Sequence, residues 1–244
     1  MKEILDSFLW IGLGFLAYFL FYLYRYKIRD FKGFLFICFL FCSAQNTLTT
    51  YIVSSQYIKW MPHLFRSAGF SVYLLSPLIF LYIRELLFEK GYQKYDWVHI
   101  LPGIFYVIDY MPFFLLDGVA KLDIINHLKS NGTLFLHQQG YFKNYISHMF
   151  LRNSLTVIYL IGIIIFFFKF VKFNGFLPFL ENKVLLWKVL FLFYMLFTFA
   201  IPPLIALLKL TPYSAENFYL ILFSVMGILS LIILFLFTKN ETIQ

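Results

Sequence analysis

The acidic group set deepest in an apolar stretch is Asp109, inside the run 97–116. Ionising a carboxylate in hydrocarbon costs at least about 2.5–3.5 kcal/mol, so its side chain must face protein or reach water. If the run is a helix, Asp109 falls past mid-depth. The run 33–53 brings Gln45, Asn46 and Thr49 to a similar depth, with Thr47 and Thr50 beside them. Such a cluster could bind a polar ligand or a proton. It could equally be an interhelical hydrogen-bond group that fixes packing, worth about 0.6–2 kcal/mol.

The other reactive residue types form no recognisable constellation. His63, His99, His127, His137 and His148 are scattered, with no pair at metal-ligand spacing. There is no G-x-S-x-G, no phosphate loop, no dinucleotide fingerprint and no pair of carboxylates within one apolar run. Ser76 has no histidine base at a familiar spacing. Cys38 and Cys42, four apart on one helix, read as buried, inert thiols. The expectation is a protein without enzymatic activity, metal or cofactor.

These residues are positioned by elements that water would not tolerate. The chain is 61% hydrophobic and 13% charged, against about 45–50% and about 25% for a soluble domain, and its mean hydropathy is +0.79. That leaves too little polar surface to cover a globule, so the excess must face lipid. Runs of roughly 20 apolar residues suffice to cross the hydrocarbon core. They occur near 7–24, 33–53, 67–88, 97–116, 151–171, 184–208 and 218–237. Each must satisfy its own backbone hydrogen bonds, which selects helices. The fold expected is all-α: one polytopic bundle of about seven transmembrane helices over 1–244. The first run is long and no small-residue cleavage site follows it, so it reads as a span rather than a removable signal.

The net charge of +8 sits between the apolar runs, where it sets topology and meets anionic lipid headgroups. The first connection, with Arg25, Lys27, Arg29 and Lys32, is short and strongly basic. This puts the N-terminus outside and the C-terminus in the cytoplasm. Membrane lipids are the expected partners. The connection 117–150 is then extracytoplasmic. Within it Leu122, Ile125 and Leu128 recur at helical spacing, which predicts a short surface helix, and Ser130-Asn131-Gly132-Thr133 reads as a turn.

Pro77, Pro102 with Pro112, and the pair Pro202-Pro203 should break the third, fourth and sixth helices, the last pair forming a candidate hinge. Gly12, Gly14, Gly69 and Gly162 allow close helix contact. Arg84 and Glu85, being adjacent, point in different directions, and Arg84 should snorkel toward headgroups.

Two punctuated motifs occur in order. Pro77-Leu78-Ile79-Phe80-Leu81-Tyr82-Ile83-Arg84 is followed after a short polar stretch by Asp96-Trp97-Val98-His99-Ile100-Leu101-Pro102. From Met61 to Pro112 the chain resembles the membrane region of AraC-type transcriptional regulators of Bacteroidetes. Elsewhere the agreement is in hydropathy and loop lengths. The resemblance implies a sensory or signalling module in the bacterial inner membrane, with Pro77, Tyr82, Arg84, His99 and Pro102 as signature residues. It suggests that His99 and Arg84 meet at the cytoplasmic interface. It also points to a homodimer, because helix-turn-helix readers dimerise on paired half-sites. These 244 residues hold no recognition helix or basic stripe, so direct nucleic-acid binding by this chain is not expected. The ligand is unknown. A small transporter or lipid-handling protein, or a membrane scaffold, is the alternative reading.

Overall fold

The computed structural model describes residues 2–26, 30–130, 139–142 and 145–175, together with 185, 186, 189, 225 and 227–232. Among the described residues every regular element is helical. The α-helices are α1 Lys2–Tyr26, α2 Phe31–Ser54, α3 Gly69–Phe88, α4 Leu101–Asp109, α5 Met111–Phe114, α6 Gly118–Ser130 and α7 Tyr145–Asn174. Among the described residues four stretches are long and apolar enough to cross a membrane: Asp6–Tyr24, Phe31–Ser54, Pro62–Phe88 and Phe150–Phe173. The expected spans at 184–208 and 218–237 fall largely outside the described residues, as do Pro202, Pro203 and the turn at 131–133.

Local chemistry sets the helix ends. Asp30 caps α2 by accepting from Gly33 N at 2.8 Å. Ser55 closes α2 and its Oγ then accepts from Tyr57 N, opening the 3-10 turn Gln56–Lys59. Glu89 ends α3 in the left-handed conformation, φ 48°. Pro77 was expected to break α3, yet the helix is unbroken through it. A membrane bundle tolerates one missing backbone bond where neighbouring helices hold the segment.

The apolar run 97–116 is not one continuous helix. It divides into a 3-10 turn Asp96–Ile100, then α4, then α5, with the break at Tyr110. Pro102 sits harmlessly in the first turn of α4. Pro112 lies in the first turn of α5, where its missing N–H costs no helical bond. His99 lies beside Tyr159 of α7 and Asp109 beside His148 of the same helix, a rise of about 16 Å along α7.

Helix α3 is the centre. It packs against α2, α4 and α7, and α1 packs on α2. In its apolar window 67% of the residues are buried, against 28% in that of α1 and 17% in that of α7. One apolar cluster joins α1, α2, α3 and α7 through Ile11, Phe15, Leu40, Leu75, Ile79, Ile83 and Ile163. A second fills the end capped by α6, around Val53, Ile58, Phe65, Tyr106, Phe113, Ile125 and Leu128. Two of the glycines admit a partner ring: a Cβ on Gly69 would lie 1.9 Å from Tyr106, and one on Gly162 would lie 2.8 Å from Phe80.

The surface helix expected within 117–150 is α6, which lies on the 3-10 turn Pro62–Leu64. Its buried stripe is Lys121, Ile125 and Leu128, while Leu122 is only half-buried. A lysine thus occupies an inward position that an apolar pattern assigns to leucine. Helix α7 begins at Tyr145, six residues ahead of the apolar run. The first turns of α7, with their polar residues, therefore belong to the bundle rather than to a loop.

Candidate functional site

Near the α6 end a carboxylate, an imidazole and a phenol form a chain across three helices. Asp109, the last residue of α4, is 2% exposed. Its Oδ2 lies 2.6 Å from Nε2 of His148 on α7. His148 Nδ1 lies 2.7 Å from the Tyr73 hydroxyl on α3, and the same hydroxyl is 3.2 Å from the His148 carbonyl oxygen. The imidazole stands among aromatic rings, with centroids 5.3 Å from Tyr110, 5.6 Å from Tyr106, 5.9 Å from Tyr73 and 6.0 Å from Phe105.

The segment 139–142 closes over this group. Phe142 N donates to Asp109 Oδ1 at 2.9 Å and Tyr141 N donates to the Asp109 carbonyl. Gly140 packs so tightly that a Cβ there would lie 2.2 Å from Asp109 Oδ2. Gln139 Oε1 accepts from Arg66 Nε at 2.9 Å, and the Tyr106 hydroxyl donates to the Arg66 carbonyl. Asp109 therefore satisfies its acceptors with one backbone N–H and one imidazole, as burial demands.

The sequence singled out Asp109 correctly as a residue that must be enclosed, but its partners differ from those expected. Gln45 reaches Ser71 Oγ on α3. Asn46 offers its carbonyl to the Thr50 hydroxyl, and Thr49 is buried within the α2 face. Helix α3 lies between α2 and α4, so these residues line a separate contact. His148 was counted among the scattered histidines. The signal that could have found it is a stripe at four-residue spacing: His148, Arg152 and Thr156 share one face of α7. Thr156 Oγ1 meets Ser76 Oγ at 3.0 Å, one turn further along α3.

A second polar knot lies at the opposite end. Arg84 does not snorkel; it binds Asp96 through Nη1 at 2.5 Å and Nη2 at 2.8 Å, with the pair's side chains 10% and 6% exposed. Nη2 also donates to the Gly91 carbonyl, Glu85 accepts from Gly91 N, and Asp96 accepts from Gln93 N. Burial pushes the Asp96 carboxyl up, but the Arg84 guanidinium and the Gln93 N–H outweigh it and hold the group below its ordinary value. Glu89 and Gly91, both at positive φ, turn the chain so that these partners meet.

Of the five residues expected as a signature, Arg84 ties the α3–α4 connection, and the others lie elsewhere. His99 does not meet Arg84 in a hydrogen bond; its Nδ1 lies 2.8 Å from the Tyr159 hydroxyl. Tyr82 packs in the apolar cluster, its ring 5.5 Å from that of Phe36. Pro77 is buried within α3 and Pro102 starts α4.

At the α6 end, buried Lys121 donates from Nζ to the Phe114 carbonyl at 2.9 Å and lies 2.8 Å from His63 Nδ1. Burial pushes its ammonium down from the usual lysine value, with Asp117 acting in the other direction. Among the described residues no three histidine, cysteine, aspartate or glutamate side chains converge as metal ligands.

No protein-family model matches the chain, and neither the curated proteins nor the solved structures contain a match to it.

Proposed function

We propose that this chain is a membrane-embedded sensory or signalling module. In this reading it is a seven-span protein of the bacterial inner membrane, N-terminus outside and C-terminus cytoplasmic. It is the kind of module that AraC-type regulators place ahead of their DNA-binding region. The observation that carries the reading is the Asp109–His148–Tyr73 chain. A sensor needs two states of different affinity for its stimulus. A buried ionisable contact where α3, α4 and α7 meet is an element whose state a stimulus can change. Its neighbours Gly140, Tyr141 and Phe142 join the contact to the chain segment ahead of α7.

The test joins a reporter domain after Gln244 and screens envelope conditions: acidity, osmolarity and lipid composition. The expected result is output that changes with at least one condition and falls by about tenfold in Asp109→Asn at equal expression, the size of one lost buried interaction of about 1.4 kcal/mol. Flat output under every condition, with the protein well expressed, would overturn the reading.

A further inference from the structure

Resting on that sensory reading, we propose that the stimulus registered at this site is the proton, taken up on the imidazole of His148. The argument is one of hydrogen-bond accounting. With Asp109 ionised and His148 neutral, Nε2–H donates to Asp109 Oδ2 at 2.6 Å and Nδ1 accepts from the Tyr73 hydroxyl at 2.7 Å. When a proton from water adds to Nδ1, that nitrogen becomes a donor and the Tyr73 oxygen becomes its acceptor. The Tyr73 O–H then turns to the His148 carbonyl oxygen, already 3.2 Å away. No buried polar atom of the three residues loses its partner in either state. Ordinary buried histidines lack this property, because charging them strands a donor or breaks an acceptor contact.

The charged and titratable neighbours act in opposing directions. From α4, Asp109 in direct contact attracts the added charge, and Tyr106 and Tyr110 stand as neutral rings. From α3, Tyr73 supplies the second acceptor. Arg152, one turn on along α7, and Arg66, ahead of α3, act on the same tyrosines and repel a second positive charge. The neutral and protonated forms therefore differ in net charge at one spot where three helices meet. That is the difference a bistable packing arrangement needs.

The test uses the full chain in lipid nanodiscs with ring-labelled histidine and tyrosine, read by NMR, with His148→Gln to identify the signal. The ring signals of His148 should move reversibly between neutral and imidazolium positions as acidity rises from about pH 8 to about pH 5. The Tyr73 ring signal should move at the same midpoint. Asp109→Asn should change that midpoint; should that variant not fold, the joint movement of His148 and Tyr73 in the natural protein decides. The reporter described above should follow the same midpoint. A His148 that keeps one protonation state across this range overturns the inference and leaves the sensory reading to the other reporter conditions. A His148 that titrates while reporter output ignores pH also overturns the proton as stimulus, whereas a reporter silent under every condition overturns the sensory reading itself.

Discussion

Asp109 and His148 are 39 residues apart in the chain, yet their side chains meet at 2.6 Å with the carboxylate shut off from solvent. The contact joins the end of α4 to the first turns of α7, and Tyr73 extends it to α3. A continuous helix over 97–116 would have tied the Asp109 carbonyl to the N–H four residues on. The break at Tyr110 instead leaves Asp109 as a helix terminus, with its carbonyl open to Tyr141 N.

The Arg84–Asp96 pair is a stability element. Removing one partner of a buried pair leaves the other charge uncompensated, at about 3–5 kcal/mol. Arg84→Met and Asp96→Asn should each lower the unfolding free energy in detergent micelles by that order. The double variant Arg84→Met/Asp96→Leu should recover most of the loss. Equal, additive losses would mean that the two charges do not face each other.

Acidification tests the same pair through its sign. The Asp96 carboxyl is held below its ordinary value in the fold, so the folded state binds fewer protons than the unfolded one as pH falls. The stabilisation is complete above the unfolded value near about pH 4 and is lost as pH drops through the folded value. Melting temperature should therefore fall below about pH 4 in the natural protein, and this part of the acid sensitivity should be missing in Asp96→Asn.

Helix spacing at Gly69 should be sensitive to a single methyl group. A Cβ there would meet the Tyr106 ring at 1.9 Å, and an aromatic ring cannot yield as a flexible chain end does. Gly69→Ala should cost about 1–3 kcal/mol and disturb the Tyr106–Arg66 hydrogen bond. Gly91→Ala meets no neighbouring atom, so its cost is confined to the positive φ. Thermal unfolding of the two variants side by side gives the comparison.

What the sequence reveals and what it hides follow from the range of the forces involved. Long apolar runs announce helices because hydropathy is a local property, and among the described residues four of those expected are helices long and apolar enough to cross a membrane. The burial of Asp109 is also legible, since the cost of a charge in hydrocarbon does not depend on knowing its partner. The partner is not legible. His148 sits ahead of an apolar run, and its meeting with Asp109 depends on how α7 packs on α3. Arg84 misled for a related reason: snorkelling is the default near a helix end, and only the reversal at Glu89 and Gly91 brings Asp96 back within reach. In the run 97–116 the break expected from its prolines is present, at Tyr110, just ahead of Pro112.

The most direct measurement is a double-mutant cycle on Asp109 and His148, using Asp109→Asn, His148→Gln and the combined variant, with unfolding followed in lipid or detergent. A coupling of at least about 1 kcal/mol is expected. Losses that simply add would show that carboxylate and imidazole do not touch, and the switchable contact between α4 and α7 would be gone.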